Sequence, residues 1–172
     1  MVKRHSQYVI SYKGLGDGLH IFDFKVEDSF FEEFENREIE KGNVDVQVSL
    51  NKKPTLFEFS FDLKGSVTVS CDRCLDPLDL EIEYKAPLFI KFGEATHEET
   101  DELLVLSEQE TEIDVSQFIF EYINLSLPFR RVHPDKKGKS TCNKEMLKRL
   151  EELSVNEDKS DVDPRWNDLK NL

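Results

Sequence analysis

The sequence has no long apolar run, few cysteines, and fewer basic than acidic residues. No stretch approaches the roughly 20 apolar residues of a membrane-spanning helix, and the opening segment, MVKRHSQYVISYKG, lacks the apolar core of a secretory signal peptide. We therefore expect a cytoplasmic protein with no membrane partner. Three cysteines are an odd number and do not suit a disulfide framework in a reducing compartment, so we expect metal ligands, free thiols or core residues.

Charge is distributed unevenly along the chain. The 36 acidic residues outnumber the 23 basic ones, and the net charge of −13 argues against non-specific nucleic-acid binding by the whole surface. Residues 94–121, the acidic run, contain ten acidic residues and no Lys or Arg, whereas residues 130–149, the basic segment, contain eight basic and two acidic residues. A solvated surface is the ordinary interpretation of such runs, and contact with a charged partner is the alternative.

The first half of the sequence alternates between apolar and polar residues, as strands with one buried face do. The alternation in HIFDFKV, NVDVQVSL, TLFEFSFDL and LDLEIEY, with turn residues at Lys64-Gly65 and Ala86-Pro87, predicts five or six antiparallel strands. The 13 Phe residues favour a sheet that curls around them. We predict an α+β fold: a mostly antiparallel, strongly curved or barrel-like sheet of five to seven strands, two or three short helices and a flexible C-terminal tail.

Helical patterns flank the strands. The first helix is predicted in EDSFFEEFENRE with Asp28 as its N-cap. The second is predicted to start at Asp114, with Gln117 as the capping-box partner, and to end before Pro128. The third is predicted over residues 143–153, where apolar residues recur at helical spacing.

The domain organisation predicted from these patterns is one α+β domain over residues 1–153, a polar linker over 154–162 and a short helix over 163–172. The tail, DPRWNDLKNL, is too short to form a stable helix alone, so it must dock on its own domain or on a partner. Arg165 and Trp166 are the candidate partner-binding residues of this tail.

Cys71 and Cys74 form a CxxC pair between two predicted strands. A thioredoxin-like redox pair would need a helix directly after it, which the following Leu-Asp-Pro and strand pattern do not provide. A zinc knuckle is the alternative, because two residues between thiolates let both sulfurs face one ion. His133 and Cys142 are the candidate third and fourth ligands, although eight residues separate them. Zinc binding and a reduced turn without metal both remain open.

Known catalytic patterns are absent from the sequence. It has no nucleophile elbow, no P-loop and no HExxH motif, and no His lies near a Ser or Cys in a recognisable activating context. We therefore expect a protein that is not an enzyme and has no small-molecule substrate.

Three segments together resemble one protein family. CDRCLDPLDLEIEY, EIDVSQFIFEYINLSLPFRRVHPD and DPRWNDLKNL occur in an order that resembles the YceD family of large ribosomal RNA subunit accumulation proteins, over about the last 110 residues. The resemblance implies a non-enzymatic factor that supports accumulation or processing of large-subunit ribosomal RNA. The family pattern falls on Cys71, Arg73, Cys74, Glu121, Leu125, Ser126, Leu127, Pro128, His133, Cys142, Asp163, Pro164, Arg165 and Trp166.

Metal binding would gather part of the basic segment beside the CxxC turn, and such a patch can contact RNA phosphates. The candidate RNA-binding residues are Arg73, Arg130, Arg131, Lys136, Lys137 and Lys139. The leading hypothesis is binding to large-subunit ribosomal RNA or its precursor particle. The alternatives are an interaction module or chaperone that holds a basic ribosomal protein against the acidic run, and a metal-dependent RNA-processing enzyme.

Overall fold

The computed structural model describes residues 6–34, 38–136 and 139–154 of the chain. In chain order the elements are a 3-10 turn (Ser6–Tyr8), β1 (Val9–Ser11), β2 (Gly18–Val26), α1 (Asp28–Glu32), β3 (Ile39–Lys52), β4 (Phe57–Ser70), β5 (Pro77–Gly93), β6 (His97–Thr100), β7 (Leu103–Ser107), β8 (Glu112–Asp114), α2 (Ser116–Leu125), β9 (Asp135–Lys136), β10 (Lys139–Ser140) and α3 (Lys144–Leu153). The largest part of the fold is a six-stranded sheet with the strand order β2-β3-β4-β5-β7-β6.

The sheet is open and mixed, so the prediction of a barrel-like, antiparallel sheet is only partly correct. β2 and β6 form its two edges and do not pair with each other, and β5 and β7 run parallel, whereas the other neighbouring strands are antiparallel. A closed barrel would bury its apolar side chains in its interior. In this sheet α1 and α2 cover the apolar side chains instead, so they are buried although the sheet is open.

One face of the sheet forms the core. Side chains alternate between buried and exposed along β3 and β4, as the sequence pattern predicts. The amphipathic α2 covers this face, and its Tyr122 ring lies 5.1 Å from the Phe61 ring, centroid to centroid. α1 contributes the buried Phe30 and Phe31. The buried residues of the three central strands include Val44, Val46, Val48, Leu50, Phe57, Phe59, Phe61, Leu63, Val67, Val69, Leu78, Ile82, Leu88 and Ile90.

Gly65 marks a predicted turn that is in fact the interior of a strand. β4 continues through it, and Gly65 pairs with Val44 of β3. A Cβ atom at this position would lie 2.2 Å from the carbonyl oxygen of Asn43. The glycine therefore permits a close approach of two strands instead of a turn.

Pro87 is the second predicted turn that lies inside a strand, β5. The N–H group of Phe89 donates to the carbonyl oxygen of Glu102 at 2.7 Å, on the side of β5 that faces β7. The nitrogen of Pro87, two residues earlier, faces the same side, where β7 pairs only with the residues from Phe89 onward. The missing donor of the proline therefore breaks no ladder bond, and β5 passes through it.

The three helices lie where the sequence predicts them, but their bounds differ, and α1 ends at Glu32, well before the end of the predicted segment EDSFFEEFENRE. Asp28 is the first residue of α1 and accepts a hydrogen bond from the Gly42 N–H group at 3.0 Å, so it does not cap the helix. Asp114 accepts from the Ser116 N–H group, but the N-cap residue of α2 is Val115, and no capping box forms. α2 ends at Leu125, before the proline, as predicted.

No helix among the described residues is long and apolar enough to cross a membrane. Of the predicted linker only Ser154 is described, and the predicted tail helix, with Arg165 and Trp166, lies outside the described residues. The domain boundaries therefore stay a prediction.

Candidate metal centre

The CxxC pair lies in the connection between β4 and β5. The Leu75 N–H group donates to the Cys71 carbonyl oxygen at 2.9 Å, and the Cys71 N–H group donates to the Asp76 carbonyl oxygen at 3.0 Å. These two bonds curl residues 71–76 into a tight turn in which both cysteines are buried. Leu75 adopts a left-handed conformation, with φ of +62°, which costs a residue other than glycine about 1–2 kcal/mol.

His133 and Cys142 come back to this turn because the chain between them reverses. β9 and β10 pair antiparallel, and the Thr141 hydroxyl donates to the Pro134 carbonyl oxygen at 2.8 Å. Asn143 then caps α3 by accepting from the first backbone N–H groups of the helix, and its amide group lies 3.4 Å from the Asp76 carboxylate. The eight-residue separation is therefore compatible with one site.

The four candidate ligand atoms lie within 4.8 Å of one another. Cys71 Sγ is 3.9 Å from Cys142 Sγ, and His133 Nδ1 is 3.4 Å from Cys74 Sγ and 3.9 Å from Cys142 Sγ. A tetrahedron with Zn–S bonds of about 2.3 Å has sulfur–sulfur edges of about 3.8 Å. The cluster therefore has the size that a tetrahedral zinc site requires.

The imidazole of His133 is oriented for metal binding. Its Nε2 atom lies 3.1 Å from the carbonyl oxygen of Pro77. A carbonyl oxygen only accepts hydrogen bonds, so Nε2 carries a proton, and in the neutral imidazole that a metal binds the lone pair is on Nδ1, the nitrogen that faces the sulfurs. Metal-binding histidines are commonly fixed by such a bond from their second nitrogen.

The thiols differ in how readily they ionise. Burial raises the pKa of the Cys71 thiol, but the N–H groups of Cys74 and Arg73 and the contacts of His133 outweigh it and lower this pKa to about 6. The Ser140 hydroxyl lowers the pKa of Cys142 more than burial raises it, whereas burial raises the pKa of Cys74. Two thiols are thus held toward the thiolate form that zinc binds, and the third would release its proton on binding.

The donor set fits zinc in a structural role. Three cysteines and one histidine are among the ligand sets of structural zinc sites, in which protein atoms occupy all four positions. The three free cysteines are buried, and they form no disulfide. The structure thus brings together all four ligands predicted from the sequence, in an arrangement compatible with zinc.

Comparison with protein families identifies the chain. A family model described as the large ribosomal RNA subunit accumulation protein YceD matches residues 59–172, well over half of the sequence. The chain belongs to the YceD family. The matched region includes all four ligands of the candidate metal centre, and the family's name connects it with the RNA of the large ribosomal subunit. Comparison with curated proteins and with solved structures gave no match.

In this member of the YceD family, Arg131 links the CxxC turn to the segment that carries His133 and Cys142. Its N–H group donates to Asp72 Oδ2 at 2.6 Å, and the Asp72 N–H group donates to its carbonyl oxygen at 2.7 Å. Its guanidinium group lies 3.5 Å from Asp72 Oδ1 and 3.1 Å from Glu38 Oε2. The charge of Arg131 is therefore largely matched within the protein.

The other predicted RNA-binding residues are placed differently. Arg73 is half-buried and donates to the Ser140 hydroxyl at 3.3 Å, and Arg130 is exposed. Lys136 and Lys139 belong to β9 and β10, and Lys137 lies outside the described residues.

Sequence reasoning missed one exposed aromatic residue beside the basic segment. Phe129 follows α2 and is fully exposed, although large apolar side chains are usually buried at least in part. Leu125, at the end of α2, is also exposed. The sequence contains one indication of this residue, because Phe129 directly precedes two arginines. Its exposure, however, cannot be predicted from a sequence pattern.

Proposed function

We propose that this protein binds large-subunit ribosomal RNA, or the precursor particle that contains it, through the end that carries the zinc site. In this proposal it is not an enzyme. The zinc ion holds the CxxC turn and the basic segment together, and the exposed groups beside them contact the RNA. The family's connection with this RNA supports the choice of partner.

One observation carries the proposal: the candidate ligands bring the turn 71–76 next to residues 130–136 and 139–142, which are distant from it in sequence. Arg73 belongs to the first segment and is half-buried, and Arg130 belongs to the second and is exposed. Two neighbouring arginines can contact phosphates without recognising the base sequence. An acidic protein can therefore bind RNA through one local basic surface while the rest of its surface repels RNA.

Phe129 supports single-stranded RNA as the form that is bound. A fully exposed ring next to the exposed Arg130 offers one surface for base stacking and one charge for a phosphate. Stacking on an aromatic side chain is worth about 1–3 kcal/mol per base, whereas bases in a duplex are not available for it.

The test uses a double variant, Phe129→Ala with Arg130→Glu, and labelled single-stranded segments of large-subunit ribosomal RNA. We expect binding at least tenfold weaker, from the loss of one stacked base and one phosphate contact. The matched control, Leu19→Ala with Lys13→Glu, removes an exposed apolar group and reverses an exposed charge elsewhere. Equal binding by both variants would reject the proposed contact.

The same proposal excludes catalysis by the metal. With four protein ligands, a zinc ion here would keep no open position for water or substrate, which catalytic zinc sites retain. The purified, zinc-loaded protein should therefore leave precursor ribosomal RNA intact. Cleavage that disappears in a Cys71→Ser variant would instead support the metal-dependent RNA-processing alternative.

A second candidate function is capture of a basic ribosomal protein by the acidic run. The ten acidic residues of 94–121 without one Lys or Arg favour it. Complementary charge steers association and selects partners more than it adds affinity, so a specific partner would also need a shaped surface.

A further inference from the structure

A groove of about 740 Å³ lies between α2, β5 and the turn that joins β6 to β7. Its volume falls within the range of roughly 300–1,000 Å³ that ligand-binding clefts occupy. Apolar side chains form its floor, including Leu104, Phe118 and Tyr122, and Leu125 extends along its side with 64% of its surface exposed. The groove therefore offers apolar contact to a side chain that enters it.

Acidic side chains surround this floor. Glu98, Asp101, Glu102 and Glu121 line the groove and are exposed. None of the four forms an ion pair with another described residue, although Glu121 accepts a hydrogen bond from Gln117. The carboxylates are thus free to pair with cations of another molecule.

Lys85 is the one basic side chain among the described residues that line the groove. Its ammonium group lies 2.6 Å from Asp62 Oδ2, so its charge is already matched outside the groove. The electrostatic potential inside the groove is therefore negative, and a positively charged occupant would meet no opposing cation.

We propose that this groove binds a Lys/Arg-rich segment of a protein partner that carries one large apolar side chain. The apolar side chain occupies the floor, and the flanking cations pair with the rim carboxylates. The proposal rests on the second candidate function, capture of a basic protein, and assigns that capture to a defined surface. RNA does not fit here, because its phosphates would face four carboxylates.

The chain's own tail fits the groove less well. Residues 163–172 contain two acidic and two basic residues, so they bring no net positive charge to the carboxylates. A basic partner matches both the floor and the rim, whereas the tail brings two negative charges to the rim for its two positive ones.

The probe is a fluorescein-labelled 12-residue peptide of Lys and Arg with a central Phe, and its binding to the full-length protein is measured by fluorescence anisotropy. Replacing the Phe of the peptide by Ala should weaken binding roughly 10- to 100-fold, because the floor loses its apolar partner. The groove variant Glu98→Gln, Asp101→Asn, Glu102→Gln should bind the original peptide about tenfold more weakly than wild type.

The matched control is Asp17→Asn, Asp45→Asn, Glu81→Gln, which neutralises three exposed carboxylates that do not line the groove. It should bind the peptide almost as wild type does. Equally weakened peptide binding in the two variants would overturn the proposed groove but leave capture of basic proteins by overall charge intact. If the peptide does not bind the wild-type protein at all, both the groove and the capture of basic proteins are overturned. Displacement of the probe by an unlabelled peptide of residues 163–172 at lower concentration than by the basic peptide would assign the groove to the tail instead.

Discussion

Removing the metal should unfold one end of this protein and leave its sheet folded. The protein, purified without chelator, is expected to contain about one zinc per chain, and the perturbation is removal of that zinc by a strong chelator. The sheet has its own core, with strands of 14, 14 and 17 residues at its centre. The turn 71–76 and residues 131–136 and 139–143 instead carry the four candidate ligands, so we expect their order to depend on the metal.

The size of this dependence follows from the contacts of the segment. Ordering its 11 described residues, 131–136 and 139–143, costs about 16 kcal/mol at about 1.5 kcal/mol per residue. Eight hydrogen bonds, besides those of the β9–β10 pairing and of α3, at about 1 kcal/mol each and the half-buried Val132 offset about 9 kcal/mol of this. At most about 7 kcal/mol remains, less than the roughly 10–16 kcal/mol that structural zinc contributes, so the segment should be ordered with the ion and disordered without it.

Hydrogen exchange followed by mass spectrometry measures this directly. Amides in 71–76 and 131–143 should lose most of their protection after chelation, whereas those of β3, β4 and β5 should keep it. A Cys71→Ser, Cys74→Ser variant without chelator should give the same map and contain no zinc. Loss of protection throughout the sheet, or no change in either segment when zinc leaves, would refute the reasoning.

Three further predictions concern stability, measured by chemical denaturation. Gly65→Ala should destabilise the protein by about 1–3 kcal/mol, because its Cβ would lie 2.2 Å from the Asn43 carbonyl oxygen; unchanged stability would mean that β3 and β4 can separate here. Leu75→Gly should stabilise it by up to about 1 kcal/mol without changing zinc content, and a loss would show that the left-handed turn is not strained. Burial raises the pKa of Tyr122 to about 12. The unfolded chain therefore loses this proton first, and stability should fall between about pH 10 and pH 12 in wild type but less in Tyr122→Phe.

The alternation of apolar residues predicted the buried face of the sheet but not the ends of its strands. Val44, Val46 and Val48 are buried as the pattern requires, because side-chain alternation is a local property of extended chain. Glycine and proline favour turns locally, so the sequence pattern predicts turns at Gly65 and Pro87. A glycine can form a turn or allow a neighbouring strand to approach closely. Which of the two occurs depends on a strand that is distant in sequence, so a local sequence pattern cannot predict it.

In the candidate metal centre too, the sequence predicts the local features but not the contacts between distant residues. The residue types and the CxxC spacing were enough to select four candidate ligands that the structure brings together, because thiolates and imidazole are what zinc binds. The geometry between His133 and Cys142 depends on the pairing of β9 with β10, and the orientation of the imidazole depends on the Pro77 carbonyl. Neither contact can be predicted from the eight-residue separation between His133 and Cys142.

Counting charges along the sequence overstates the positive charge available to RNA. Arg131 pairs with Asp72 and Glu38, which leaves Arg73 and Arg130 as the described arginines next to the metal centre that can reach a phosphate. Each phosphate contact to single-stranded RNA contributes about 0.7 to the slope of log affinity against log salt. Two such contacts predict a slope near −1.4, far shallower than that of proteins whose affinity comes from charge. A much steeper salt dependence would show that cations other than Arg73 and Arg130 contribute most of the affinity. A slope near −1.4 or shallower would show that base stacking on Phe129 and the fit between the two surfaces contribute most of it.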